Sequence, residues 1–208
     1  NAWFESVSGY TTTGSTILTD IEALPHSLLF WRSSTHFIGG LGVIVFLLMI
    51  LPDSSPAKLR LTHLELSSLS KEGYRYKTST ITRVMVSVYI GLTIVETLLL
   101  WAAGMSLFDA VNHAFSTVAT GGFSTKNTSV MYFDSTSIDI IITVFMALSA
   151  MHFGVIFAIV AGRSFKPLKH SVTKYYLGII AVCSIIIALS LKTQGGYESW
   201  GEALLDST

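Results

Sequence analysis

Two short stretches of the chain combine small hydroxyl residues with glycine in a pattern that suits cation coordination. They are GYTTTGSTILTD at residues 9–20 and FSTVATGGFSTKNTS at residues 115–129. Glycine adopts backbone conformations closed to residues with a Cβ, so successive carbonyl oxygens can turn toward one axis, and threonine hydroxyls can add ligands. Oxygen-rich sites of this kind suit a hard cation rather than a transition metal. Either stretch alone would more often be an ordinary surface turn, but the pair indicates a cation site.

The segments around these loops are apolar enough to lie in a membrane. Half of the 208 residues are hydrophobic and only 12% are charged, against about a quarter in soluble domains. A helix crosses a bilayer with about 20 apolar residues, and four segments reach or approach that length: 28–51, 84–103, 138–161 and 175–191. We therefore predict an all-α, multi-pass membrane protein.

The basic residues predict which way the chain faces. Ten of the 13 Lys and Arg lie in the connections 52–83 and 162–174. Short basic connections stay on the cytoplasmic side, so we expect both connections inside and both threonine-rich loops outside. The formal net charge is zero, so we do not expect the protein to bind nucleic acid. We expect it to lie in a lipid membrane.

An internal repeat explains why the two loops resemble each other. AWFESVS (2–8), SLFDAVN (106–112) and SWGEALL (199–205) align, with Glu5, Asp109 and Glu202 at equivalent places. Ser106 with Asp109, and Ser199 with Glu202, have the spacing of capping boxes, which predicts that short helices begin there.

The second of these helices is too short to cross the membrane. From Ser106 it reaches about Val118 before ATGG ends it, a length of roughly 18 Å, so the chain must turn back. Non-helical backbone at membrane depth has to be buried in protein or line a wet cavity. The carbonyl end of such a half-helix also favours a cation. The sequence thus predicts tandem repeats of outer helix, short pore helix, re-entrant loop and inner helix (M1-P-M2).

The chain divides into five segments on this interpretation. We predict the pore loop and inner helix of a first repeat (1–51), a cytoplasmic linker (52–83), a complete second repeat (84–161), a cytoplasmic loop (162–174), and the outer helix and pore-helix start of a third repeat (175–208). Because the chain opens on Asn1 and stops at Thr208 within a repeat, we expect a fragment of a longer protein.

Three motifs in order resemble a known family. SGYTTTGST, LFWRSSTHFIGGLGVIVFLLMILP and HAFSTVATGGFST closely resemble the Trk/Ktr/HKT superfamily of potassium transporters, in particular its bacterial TrkH branch, and the likeness covers essentially the whole chain. The resemblance implies a potassium-channel-like fold with four repeats around one ion path, K⁺ as the transported ion, and no covalently bound cofactor. It places the selectivity filter at Thr12, Thr13, Gly14, Ser15, Ala119, Thr120, Gly121 and Gly122, with potassium bound at Thr13, Gly14, Thr120 and Gly121.

The resemblance also implies partners and a location. Family members are similar in working as homodimers in the bacterial plasma (inner) membrane, together with the remaining repeats of the same chain. They pair with a cytosolic nucleotide-binding regulatory ring (TrkA-like), which the basic connections would face. The family's other filter strands and gating features would lie beyond Thr208.

Two alternatives to potassium transport stay open. The loops carry TTTG and ATGG rather than TVGYG, so fewer carbonyls line up in a row, which leaves sodium or non-selective monovalent cation transport possible on the same fold. A remote alternative is an intramembrane enzyme that uses Glu96 as a base. The chain has no HExxH or GxSxG pattern, so we do not expect an enzyme.

A few polar residues outside the filter could support it. Arg32 is expected to brace the filter or to form a structural tie to Asp20 or Glu22. Glu96, mid-helix in a membrane, would serve ion coupling or make an inter-helix hydrogen bond. His113 and His152 could respond to pH. Glycines in the stretches 38–43 and 152–154 would allow close helix packing.

Overall fold

Helices make up all the regular structure in the part of the chain that the structure describes. The computed structural model describes residues 1–42, 78–151 and 171–193. Numbered in chain order, the α-helices are α1 (Ala2–Tyr10), α2 (His26–Phe37), α3 (Thr78–Ala102), α4 (Leu107–Val118), α5 (Thr136–Ser149) and α6 (Ser171–Thr193). A π-helical turn, Ile38–Gly42, continues α2, and a 3-10 turn, Ser129–Phe133, precedes α5. The predicted all-α fold class is confirmed.

The chain divides into two units, Asn1–Phe157 and Ala158–Thr208. The first contains α1 to α5 and both threonine-rich loops. The second contains α6, a single apolar helix of 23 residues.

Two of the four predicted membrane spans are continuous helices. Met85–Ala102 within α3 and Thr173–Ser190 within α6 are long and apolar enough to cross a bilayer. Only 28% of the first window and 17% of the second is buried inside the protein, unlike the enclosed core helix of a soluble domain. Both helices begin earlier than predicted, at Thr78 and Ser171, within the connections that we assigned to the cytoplasm.

The other two predicted spans are described only in part. α2 with its π-helical turn covers the first part of 28–51, and α5 covers the first part of 138–161. Residues 43–51 and 152–161 lie outside the described residues. So do His152, the glycine at 154 and the capping box predicted at Ser199.

The short pore helix α4 forms as its sequence predicts. At its start the Ser106 side chain accepts a hydrogen bond from the Asp109 N–H at 3.1 Å and donates one to the Asp109 carboxylate at 2.7 Å. The helix has 12 residues and ends at Val118, so it spans roughly 18 Å of a hydrocarbon layer about 30 Å thick. It cannot cross, and the chain returns through the second loop.

Neighbouring helices enclose α4 on several sides. One apolar cluster joins α3, α4 and α5: Leu100, Met105, Ala110, Ile138 and Ile142. A second joins α3 to the end of α4 and consists of Met85, Tyr89 and Val118, with Phe37 of α2 packed against it. Since lipid tails are as apolar as leucine, such clusters stabilise a membrane protein mainly through close packing. They also bury the end of α4, as non-helical backbone at membrane depth requires.

Glycines after α2 let the backbone pass close to its neighbours. A Cβ on Gly39 would collide with the Tyr10 carbonyl at the end of α1, and one on Gly40 would lie 2.9 Å from the Tyr89 hydroxyl. That hydroxyl donates to the Phe37 carbonyl at 3.0 Å, near the end of α2, where helical carbonyls lack partners. The predicted close packing in the stretch 38–43 is confirmed at these two glycines.

Candidate cation-binding site

The two threonine-rich loops begin with the same backbone turn. In each, a threonine just after the short helix has a positive φ, 52° at Thr12 and 55° at Thr120. In each, the next N–H returns to a serine carbonyl in the helix, and these bonds are Thr13 to Ser8 at 3.0 Å and Gly121 to Ser116 at 2.8 Å. They satisfy carbonyls that a helix end leaves open. The two short helices therefore end in one shared motif.

Side chains behind the loops follow the same correspondence. The Thr16 hydroxyl donates to Glu5 at 2.7 Å and accepts the Leu18 N–H at 3.1 Å. The Ser124 hydroxyl lies 3.0 Å from His113 Nε2 and accepts the Lys126 N–H at 3.0 Å. Glu5 therefore corresponds to His113, and Thr16 to Ser124.

Our alignment of AWFESVS with SLFDAVN, which paired Glu5 with Asp109, is therefore wrong. The turn that ends each helix fixes the register of the repeat, whereas apolar helix residues resemble one another in several registers. By the same correspondence Gly14 matches Gly122, and both have positive φ, 73° and 92°.

The glycines of the two loops lie against each other. A Cβ built on Gly14 would collide with the carbonyl oxygen of Gly121 and would lie 3.6 Å from the Gly122 Cα. The loops come from positions about a hundred residues apart, yet their backbones meet at this point. The Ser15 carbonyl, by contrast, accepts the Ser8 hydroxyl at 2.6 Å, so one of its lone pairs is directed to its own pore helix.

Arg32 ties the first loop to the helix that follows it. Its guanidinium donates to Glu5 at 3.1 Å and to the Thr16 hydroxyl at 3.2 Å, and the side chains of the ion pair are only 8% and 13% exposed. The predicted tie is present, but the predicted partners, Asp20 and Glu22, are wrong. Those acids lie after the turn, whereas Glu5 on α1 faces α2.

The charge of Glu5 is stabilised where it lies. Burial alone would raise the pKa of this carboxyl. The hydrogen bonds from Thr16 and the Ile17 N–H, together with the Arg32 guanidinium, outweigh burial and hold the pKa below the ordinary value of 4.5. The first loop is thus anchored by an ion pair.

The second loop is anchored by other groups at the same place. His113 Nδ1 lies 2.8 Å from the Asp109 carbonyl oxygen, which can only accept, so the ring hydrogen is on Nδ1 and Nε2 accepts from Ser124. Asp109 also accepts the Thr125 hydroxyl at 2.6 Å. This network makes His113 a support of the loop, and its ring is almost fully buried.

Glu96 is buried next to the pore helix. Its side chain is 0% exposed, and among the described residues neither carboxyl oxygen has a partner in hydrogen-bonding geometry. The Thr117 hydroxyl of α4 is the polar group that interacts with this carboxyl, but it does not lie in hydrogen-bonding geometry. The well-formed inter-helix hydrogen bond that we expected is not found in this part of the structure.

Three residues near the loops were missed by sequence reasoning. His36 lies under the second loop, since a Cβ on Gly121 would collide with its ring. Phe123 stacks on His36, and Asn127 bonds to the first loop's outer segment. Aligning the repeats on TTG at 12–14 and TGG at 120–122, instead of on the helix starts, would have exposed the loop register.

The donor atoms around the loops are those that an alkali cation prefers. Carbonyl and hydroxyl oxygens crowd the turns, and no group of three or more His, Cys, Asp or Glu side chains is gathered within residues 1–42, 78–151 and 171–193. Such an arrangement suits exchange of a hydration shell for protein oxygens rather than tight binding of a transition metal.

Comparisons with known proteins agree with this chemistry. A family model named TrkH and described as a cation transport protein matches residues 1–191. The Trk system potassium uptake protein TrkH of Salmonella typhimurium is 37% identical over 201 residues, which cover 96% of this chain and 42% of that protein. An uncharacterized cation transporter of Methanocaldococcus jannaschii is 34% identical over 192 residues, 92% of this chain and 39% of that one.

A solved structure shares the fold. The crystal structure of the potassium transporter TrkH from Vibrio parahaemolyticus has a TM-score of 0.81 and 32% identity, covering 99% of this chain and 42% of that one. The chain therefore spans less than half the length of the relatives it matches. With the family model covering most of its residues, this chain belongs to the TrkH family of cation transport proteins.

Proposed function

We propose that this chain forms part of the ion pathway of a membrane protein that transports potassium. The relatives from Salmonella and Vibrio are named as potassium proteins, and the family is one of cation transport. The contact between Gly14 and Gly121 carries the proposal. This contact brings two re-entrant loops together, whereas two ordinary surface turns would have no reason to meet.

The filter that we propose consists of the two glycine turns. Its residues are Thr12, Thr13, Gly14, Ser15, Ala119, Thr120, Gly121 and Gly122, with K⁺ held by oxygens of Thr13, Gly14, Thr120 and Gly121. We add Gly122 to the residues that hold K⁺, because it matches Gly14 in position and in the sign of φ. Both α1 and α4 end at the loops, so their carbonyl ends place about half a negative charge each beside the ion.

Arg32 and His113 are the proposed supports of the filter. Arg32 holds the first loop through Glu5 and Thr16, and His113 holds the second through Ser124. Glu96 is the proposed coupling group, because an acid buried within a membrane helix is costly and is a candidate for a functional role. The proposed function is transport and not enzymatic catalysis, so the proposal assigns no group to covalent chemistry.

The complete assembly is part of the proposal. The remaining repeats of the same chain would complete the filter, two copies would form a homodimer, and a cytosolic nucleotide-binding ring (TrkA-like) would gate it. The protein would lie in a bacterial plasma membrane, with residues 52–83 and 162–174 in the cytoplasm and the filter loops facing outside. The excess of basic residues in those two connections supports this orientation.

Ion flux through the complete transporter tests the proposal. The purified protein in liposomes should move K⁺ faster than Na⁺ under an applied membrane potential, measured with a dye selective for each ion. Equal fluxes would favour the alternative, a non-selective cation path, which the short TTTG and ATGG stretches support. Flux of neither ion, in protein that is folded and inserted with its regulatory ring present, would overturn the proposal.

A further inference from the structure

The ring of Phe123 occupies a position between the two repeats. Phe123 directly follows Gly122 in the second loop and is 4% exposed. Its ring stacks on His36, with centroids 4.0 Å apart and planes at 16°. The Arg32 guanidinium carbon lies 4.1 Å from the centroid of the same ring. The residue after the second filter glycine thus contacts the inner helix of the first repeat.

The first pore helix lies beside the same ring. A Cβ on Gly9 of α1 would lie 3.7 Å from Phe123 Cε2 and would collide with Thr35 of α2. The absence of a side chain at Gly9 therefore lets α1, α2 and the Phe123 ring come together. One aromatic ring of the second repeat is thus in contact with α2 of the first repeat and lies beside α1.

The two partners on α2 are themselves fixed. Arg32 and His36 are one helical turn apart and so share a face of α2. Arg32 is held by Glu5 of α1 and by Thr16 of the first loop. His36 Nδ1 lies 3.1 Å from the Ser116 hydroxyl, and the carbonyl of Ser116 accepts the Gly121 N–H. The ring therefore rests on side chains that are each tied to one filter loop.

Resting on the potassium transport proposed above, we propose that Phe123 is a specificity-determining positioning residue, which fixes the spacing of the two filter loops through Arg32 and His36. The chemical basis is the size of the ion. One basis for selecting K⁺ over the smaller Na⁺ is a filter whose oxygens are held at the spacing that suits K⁺ and do not close around the smaller ion. The flat face of the ring, pressed on a cation and an imidazole, resists relative movement of the loops in a way that an aliphatic side chain does not.

Phe123→Leu tests this inference against a matched control. Phe115 on α4 also packs on α2, where its ring stacks with Phe37 at 4.5 Å and contacts Phe30 at 5.9 Å. Phe115→Leu therefore removes an aromatic ring from another contact between the same two repeats and leaves the residues of the proposed filter unchanged. Both variants are made in the full transporter chain and placed in liposomes. The readout is the ratio of Na⁺ to K⁺ flux, which does not depend on how much protein is recovered.

We expect Phe123→Leu to raise this ratio by roughly threefold or more, the scale of a lost aromatic contact, and Phe115→Leu to leave it unchanged. If Phe123→Leu does not fold, Phe123→Met fills more of the space and is measured instead. A wild-type ratio in the folded Phe123 variant, or an equal rise in both variants, overturns the inference.

A double-mutant cycle separates positioning from general packing. His36→Gln removes the stacked ring but keeps a group that can bond to Ser116. If Phe123 acts through His36, the double variant changes the ratio no more than the larger single change does. Simple addition of the two effects would contradict the inference. A wild-type protein that shows no preference for K⁺ would instead count against the proposed function, so the two failures are distinguishable.

Discussion

At the scale of single residues, Gly14 carries two constraints that together favour glycine over any residue with a Cβ. Its φ of 73° is unfavourable for a residue with a Cβ, and an added Cβ would displace the Gly121 carbonyl. On the proposed function, Gly14→Ala should therefore lower K⁺ flux about tenfold or more, a rise of roughly 1.4 kcal/mol in the barrier, because a displaced carbonyl oxygen no longer replaces the hydration shell of the ion. Flux per recovered transporter in liposomes measures this.

Gly104→Ala is the control for backbone strain. Gly104 has a φ of 107° and open space where its Cβ would be, and it lies between α3 and α4, away from the loops. Its replacement should lower stability by roughly 1 kcal/mol and leave flux per folded transporter unchanged. Equal loss of flux in both variants would show that strain, and not filter geometry, explains the Gly14 result.

The Glu5–Arg32 ion pair predicts a pH dependence of stability. Because the pKa of Glu5 is lowered in the folded protein, its charged form stabilises the fold above the unfolded-state pKa, and that stabilisation is lost as pH falls through the folded-state pKa. Glu5→Gln should cost about 2 kcal/mol at pH 7, and the difference from wild type should shrink below pH 4.5. Thermal unfolding in detergent, followed across pH, measures it.

Asp134→Asn provides the comparison for Glu5→Gln. Asp134 is an exposed acid in the left-handed region, with a φ of 42°, a conformation that asparagine also tolerates. Within residues 1–42, 78–151 and 171–193 this variant removes one negative charge without breaking an ion pair, so its stability should not show the pH dependence expected from loss of the Glu5–Arg32 pair. A parallel pH dependence in both variants would exclude the Glu5–Arg32 pair as its source.

Local chemistry at single residues could be predicted, but partners across the chain could not. The capping box at Ser106 and the stop at ATGG depend on neighbours within a few residues, and both were predicted correctly. The partner of Arg32 and the position of Phe123 depend on how two repeats pack. A ring that lies against another repeat looks like any apolar residue in sequence, so nothing in the pattern separates Phe123 from Phe115.

At the scale of helices, the approach of α2 to α1 depends on Gly39. A Cβ there would collide with the Tyr10 carbonyl where α1 ends, so Gly39→Ala must push the pore helix and the helix end apart. We expect a loss of roughly 2–3 kcal/mol, as for overpacking of a close contact. The melting temperature of the purified protein in detergent measures the loss.

Gly91→Ala within α3 gives the opposite expectation. Its Cβ would meet nothing within 4 Å, and alanine is favoured over glycine inside a helix by up to about 1 kcal/mol. The melting temperature should stay the same or rise. A fall as large as that of Gly39→Ala would mean that helix glycines matter here for a reason other than close approach.

Element boundaries were predictable where the polar signals are local. α4 begins and ends as predicted, because its cap and its glycine turn are both encoded in adjacent residues. α3 and α6 begin earlier than predicted, since polar residues at the ends of long helices continue the helix outside the apolar segment. The repeat register failed for a related reason: short apolar helices align in several ways, and only the turn that ends them is distinctive.

At the scale of the whole first unit, the two repeats are joined at more places than the contact between Gly14 and Gly121. Asn127, after the second loop, accepts the Ile21 N–H at 2.7 Å and donates to the Asp20 carboxylate at 3.0 Å, and its own N–H donates to Glu22 at 3.2 Å. The Asn127 amide is the main reason that the pKa of Asp20 lies below its ordinary value. One amide side chain thus connects the segments that follow both loops.

Asn127→Asp replaces the amide with a carboxylate, and Asn127→Ala removes the hydrogen bonds that the side chain makes. Both variants lose the hydrogen bond to the Asp20 carboxylate and keep the backbone N–H bond to Glu22. The aspartate can still accept the Ile21 N–H, but it alone sets a negative charge beside Asp20 and Glu22. These groups are exposed, so their repulsion is felt within a screening length of about 10 Å at 0.1 M salt and about 3 Å at 1 M. In dilute buffer Asn127→Asp should therefore melt at a lower temperature than Asn127→Ala. The two should converge when choline chloride raises the ionic strength without adding potassium. A gap that persists at high salt would mean that the carboxylate disturbs packing rather than charge. A gap absent at both ionic strengths would mean that the added charge is not felt by Asp20 and Glu22, and a wild-type melting temperature in Asn127→Ala would mean that the Asn127 side chain does not hold the two repeats together.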